Sequence, residues 1–193
     1  MKNTNYFYAL LFILFIPIQV FAQQNRTTQW ESGVMDKKEK VGVWEYYGYT
    51  ASKRQVTVQR YDHTEKKLLF YRPVEQMNYN AEMTAGNWAR RLVDQPPLYI
   101  GGDAALAAYT SKVVYPQQAQ DQQLQGKVIV GMIIDTLGHA SGHHLVQRLG
   151  GGCDEEALRI SQKIPDQWVP ARVGTRAVPV EFELPFTFKL LTR

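Results

Sequence analysis

The chain has 193 residues, a net charge of +4 spread along its length, 45% apolar residues and a single cysteine. That length suits one domain or two small ones, and the apolar share is ordinary for a globular protein. The diffuse charge, without a basic stripe carrying stacking aromatics, excludes a nucleic-acid partner, and the lone Cys153 excludes an internal disulfide framework and a multi-cysteine metal site.

Residues 1–22 read as a targeting segment. Lys2 precedes an apolar run from Tyr6 to Phe21, and Val20-Phe21-Ala22 followed by Gln23-Gln24 fits a small-residue cleavage site. The expectation is a cleaved signal peptide and an exported, periplasmic chain. An uncleaved anchor in the inner membrane is the alternative, and only that form would contact a membrane. Residues 23 to about 32 are polar and expected to be loose.

Residues 27–75 read as a small β-rich module. Val41–Tyr47, Gln55–Tyr61 and Lys67–Tyr71 are rich in aromatic and β-branched residues, with turn-like breaks at Asp36-Lys37-Lys38 and Asp62-His63-Thr64. The expected form is an antiparallel meander with its aromatics in a core; an exposed aromatic face for a partner is the sharper alternative. Gly42-Val43-Trp44-Glu45-Tyr46-Tyr47, after Gly33 and a charged turn, resembles the MORN-like hairpin repeats of bacterial envelope proteins, over residues 30–72. Residues 76–97, with Pro96 and Pro97, read as a linker, and Ala81–Leu92 could hold a short helix.

The rest, 98–193, alternates helices and strands. Asp103 is a candidate N-cap for a helix over Ala104–Val114, and Pro116 opens a second short helix to about Leu124, closed by Gly126. Lys127–Asp135 is apolar on both alternating sets, which places it inside a sheet. Thr136-Leu137-Gly138-His139 is a turn, and Ala140–Leu149 returns as a strand. After Gly150-Gly151-Gly152, Asp154, Glu155 and Glu156 favour a helix N-terminus. That helix carries Ala157, Ile160 and Ile164 on one face and stops at Pro165. The last strand, Val178–Leu190, has Val180, Phe182, Leu184, Phe186 and Phe188 on one face and Glu181, Glu183 and Thr187 on the other. The fold class expected is α+β: a two-layer C-terminal domain with a three-stranded antiparallel sheet and helices on one face, preceded by the β-rich meander.

Pro179 and Pro185 lie at odd positions of that last strand, so the donors they lack fall along one edge. Proline is tolerated where no ladder donor is needed, which makes the odd edge the free edge of the sheet. Such an edge is either blunted against aggregation or used to accept a partner strand, and the residues alone leave both readings open.

Several motifs in order and at spacing carry a resemblance: Tyr115-Pro116-Gln117-Gln118-Ala119, Gly126-Lys127-Val128-Ile129-Val130, Ile134-Asp135-Thr136-Leu137-Gly138, Cys153 to Arg159, Trp168-Val169-Pro170-Ala171, and Val180 to Phe188. Over residues 98–191 they are similar to the C-terminal domain of TonB-family energy transducers. The resemblance implies a periplasmic domain that grips the extended TonB-box segment of outer-membrane receptors by strand addition. The edge residues it assigns to that partner are Val180, Glu181, Phe182, Glu183, Leu184 and Thr187. A family transducer has a retained anchor and a long Pro/Lys-rich linker. Here the N-terminus looks cleavable and the nine prolines are scattered. A secreted adaptor or receptor modulator is therefore expected; a membrane-anchored energy transducer and a structural, homodimerising envelope protein are the alternatives.

No catalytic constellation stands out, and no cofactor or metal is expected. His139, His143 and His144 lie close in sequence, but a strand puts 139 and 143 on one face and 144 on the other, short of the convergent ligands a metal needs. Cys153 at a helix N-terminus could carry a lowered pKa, or be a small buried thiol.

Overall fold

Alternation builds most of this molecule. A computed structural model describes residues 23–72 and 78–190; the signal-peptide reading of residues 1–22 lies outside the described residues. The N-terminal part is a five-stranded antiparallel meander in sequence order: β1 (Gln24–Thr27), β2 (Glu31–Asp36), β3 (Glu39–Tyr49), β4 (Gln55–Asp62) and β5 (Lys67–Tyr71). Strand β1 falls where a loose segment was expected, paired with β2 from Gln24↔Met35 to Thr27↔Ser32. Lys37 and Lys38 both take positive φ, the requirement of the tight turn that matches strand twist, and so close the β2–β3 hairpin. The core of the meander is Trp44, Tyr46 and Tyr61. A Cβ at Gly33 would lie 2.4 Å from the Trp44 ring, so glycine there lets the indole cover the neighbouring strand. The remaining aromatics divide. Trp30 and Tyr49 are exposed and meet edge-on at 5.4 Å beside an apolar groove of about 750 Å³ that also takes in Ala104 and Ala108.

The linker expectation is overturned. Residues 78–92 form a hairpin, β6 (Asn78–Thr84) and β7 (Asn87–Leu92), turned at Gly86 with φ +78°. Ala81–Leu92 is therefore strand and turn, not helix. Next come β8 (Leu98–Tyr99), α1 (Gly102–Thr110), α2 (Gln117–Asp121), β9 (Gly126–Ile134), β10 (Ala140–Gln147) and α3 (Cys153–Ser161). The chain ends with β11 (Trp168–Val169), β12 (Ala171–Val173), β13 (Arg176–Val178) and β14 (Val180–Phe188). Gly101 takes the N-cap position of α1, and Asp103 lies in its first turn without a capping bond. Among the described residues no helix is long and apolar enough to cross a membrane.

The C-terminal sheet has five strands in the order β10-β9-β14-β6-β7. It keeps the expected antiparallel core of β10, β9 and β14 and adds the hairpin on the far side of β14, so the three-stranded expectation is too small. The α+β class stands. Val128, Val130, Met132 and Ile134 of β9 and Val180, Leu184, Phe186 and Phe188 of β14 are all buried under Cys153, Ala157 and Ile160 of α3. Burial of each such side chain contributes about 1.5–3 kcal/mol. Asp94 and Gln95 take no linker role either. They hold Arg172 through backbone bonds, and Pro96 and Pro97 are buried.

One buried glutamine couples the meander to the β8–α1 segment of the C-terminal part. Gln59, on β4, is 2% exposed; its Nε2 donates to the Tyr99 carbonyl (3.3 Å) and its Oε1 accepts from the Gly101 N–H (2.8 Å). Ile100 and Val169 add apolar contacts to the meander core.

Candidate functional site

Strand β14 pairs with β9 along its whole length, from Val180↔Ile134 to Phe188↔Gly126. In an antiparallel ladder each residue directs its N–H and C=O to one neighbour, and the next residue to the other. The Pro179 carbonyl accepts the Glu82 N–H at 3.0 Å, which places the odd backbone groups of β14 on the side away from β9. Pro185 pairs across from Ile129 at a rung of the β9 ladder that needs no donor.

That odd side is not open throughout. Strand β6 occupies its first rungs, Val180↔Ala81 and Glu181↔Asn80, and then leaves. Val180 is thus paired on both sides and buried. Glu181 is also paired on both sides, and its carboxylate is engaged: Oε2 accepts from Asn80 Nδ2 at 3.1 Å, and Oε1 lies 3.1 Å from His144 Nε2. The imidazole reaches across β9 because residue 131 is glycine; a Cβ there would stand 2.7 Å from the ring. Phe182 turns to the helical side and packs on Trp168 at 4.9 Å, and Leu184 is core. Of the six edge residues expected from the sequence, Glu183 and Thr187 alone combine an exposed side chain with odd-side backbone groups that β6 does not pair.

Where β6 parts from β14 a cleft of about 460 Å³ opens, lined by Asn78, Asn80, Arg90, Glu181, Phe182 and Glu183. Asn78, Asn80 and Arg90 were missed by the sequence reading. The signal was present: Tyr79, Ala81 and Met83 alternate with Asn78, Asn80, Glu82 and Thr84, and Gly86 marks the turn.

The histidines do not converge. His139 sits in the turn before β10, its Nδ1 3.3 Å from Asp135 Oδ2. A register shift between Ser141 and His144 breaks the simple alternation expected of this strand. Among the described residues no group of three or more His, Cys, Asp or Glu could hold a metal ion. Cys153 is fully buried; burial, then the Asp154 and Glu155 carboxylates, push its thiol pKa up. Of the two readings, the small buried thiol is the one the structure carries, and the lowered pKa is not. Asp154, expected to serve the α3 dipole, instead clasps the preceding loop, its Oδ1 accepting from the Leu149 (2.8 Å) and Gly150 (3.2 Å) N–H groups.

Residues 111–190 match the family model described as the Gram-negative bacterial TonB protein C-terminal. Over that segment the chain is similar to the TonB C-terminal family. This family is a transport and interaction family of the cell envelope, linked to TonB-dependent transport, whose members interact with outer-membrane receptors. Among solved structures, the NMR solution structure of a Helicobacter pylori TonB C-terminal domain is 20% identical with a TM-score of 0.33, covering 46% of this chain and 79% of that one. No curated protein matches the chain. The β6–β7 hairpin, at residues 78–92, precedes the matched segment of the TonB C-terminal domain yet is built into its sheet.

Proposed function

We propose that this is an exported periplasmic protein whose TonB C-terminal domain takes up the extended TonB-box segment of an outer-membrane receptor by strand addition to β14. The observation that carries this reading is the outer edge of β14 from Glu183 to Thr187, exposed and unpaired by β6 beside a strand already added to the same edge. Backbone bonds supply the affinity, so the side chains at Glu183 and Thr187 are dispensable while their N–H groups are not. With residues 1–22 removed the protein has no anchor to pull against, and it serves as an adaptor or modulator of receptors rather than as the force-transmitting subunit.

The test is an NMR titration of the isotope-labelled protein with TonB-box peptides. The expected result is a set of shifts concentrated in the amides of Glu183 and Thr187. Thr187→Pro removes one odd-side donor, as Pro185 already does, and leaves the β9 ladder intact; it should weaken binding about fivefold. Absence of shifts at millimolar peptide would overturn the reading. Intact-mass spectrometry of the exported protein tests the processing, and a mass that retains residues 1–22 would refute the adaptor role.

A further inference from the structure

We propose that the β6–β7 hairpin sets the register and length of the added strand, confining the partner to a short extended peptide that pairs with Glu183–Thr187 and ends in the cleft against Asn78. This rests on strand addition to β14 and goes beyond it, because the hairpin lies outside the matched family segment.

The register of β6 on β14 is defined by Glu181↔Asn80, Val180↔Ala81 and the Glu82 to Pro179 bond. Continued along the chain it would set Phe182 opposite Tyr79 and Glu183 opposite Asn78. Neither pair forms, and the two strands diverge around the cleft. The paired end is held firmly. Glu181 joins β14 to β10 through His144 and to β6 through Asn80, a polar row over three neighbouring strand interfaces. An incoming strand that advanced past Glu183 would have to displace Asn80 from both the backbone and the carboxylate of Glu181. Beyond the cleft the odd side offers the N–H groups of Glu183 and Thr187 and the carbonyls of Glu183, Pro185 and Thr187. Pro185 donates nothing, so one partner carbonyl facing it stays in water. The partner that fits is therefore a brief extended segment with few rungs, which suits rapid release.

The experiment compares the wild type with Asn80→Pro, which deletes the backbone donor at the last β6 rung. In the wild type, receptor peptide should perturb the amides of Glu183, Thr187 and Asn78 while the Glu181 amide keeps its protection from hydrogen exchange. In Asn80→Pro the Glu181 amide should lose that protection, regain it with peptide, and the peptide should bind about fivefold more tightly. Equal affinity in the two proteins, or loss of Glu181 protection in the wild type on peptide binding, would overturn the hairpin's role while leaving strand addition standing. Absence of peptide binding in both would remove strand addition and this inference together. If Asn80→Pro does not fold, the wild-type exchange pattern at Glu181 decides the matter alone.

Discussion

The two five-stranded sheets of this protein are built on opposite plans. The meander pairs each strand with the next in sequence, and its core is the small cluster of Trp44, Tyr46 and Tyr61, with Ile100 and Val169 packed against it. The C-terminal sheet places β14 between β9 and β6, strands far apart in the chain, and buries a larger core under α3. Local pairing costs little loop-closure entropy, whereas the second plan must bring distant segments together before their contacts form. The proposed binding edge belongs to the second plan, where β6 covers only the first rungs of β14.

Breaking either core should separate the two plans most sharply. Trp44→Ala, in the fully buried centre of the meander, should cost about 3–5 kcal/mol. Hydrogen exchange should then show protection lost over residues 31–71 and retained over 126–188; uniform loss would mean that the sheets fold as one unit. Next in size, Gln59→Leu leaves the Tyr99 carbonyl and the Gly101 N–H without their partner and should cost about 2–3 kcal/mol. Calorimetry should show one transition dividing into two, and an unchanged single transition would refute the coupling role of Gln59.

A pH effect should follow, confined to the meander. Burial, and then Lys40, lower the His63 pKa to about 4, and its Nε2 shares a 2.6 Å hydrogen bond with the Tyr46 hydroxyl. The folded state holds the ring neutral while the unfolded chain binds a proton below its ordinary value near 6.5. Stability is thus full above pH 6.5 and falls as the pH drops toward 4, by about 1 kcal/mol once screening at a half-buried site is allowed for. Denaturant melts of His63→Gln should lack this component between those pH values, and an identical pH profile would disprove it. The smallest effect is expected at the open edge: Glu183→Lys should change stability by less than about 0.5 kcal/mol, since the side chain is exposed and makes no ion pair among the described residues. A larger loss in a thermal melt would mean that Glu183 serves the fold.

Much of this was legible because it is periodic or locally forced. The doubly apolar run of β9, the one-sided run of β14, the face of α3 and the turn at Lys37-Lys38 each state their structure within a few residues. The hairpin at 78–92 was legible only in part. Its alternation is real, but Ala81, Glu82, Met83, Ala85 and Arg90 are equally good helix formers, and nothing nearby shows that a sheet edge awaits them. Cys153 was legible as a small buried thiol, although its place at a helix N-terminus also allowed a lowered pKa that burial rules out.

By itself the sequence determined α1, α2, β9, β10, α3 and β14, the apolar faces of α3 and β14, and that prolines 179 and 185 leave one side of β14 short of donors. Tertiary structure alone decided how much of that side is free. Backbone hydrogen bonds carry no residue code, so no pattern in the chain announces that Asn80 pairs with Glu181, that Gly131 admits the His144 ring, or that β6 parts from β14 before Glu183.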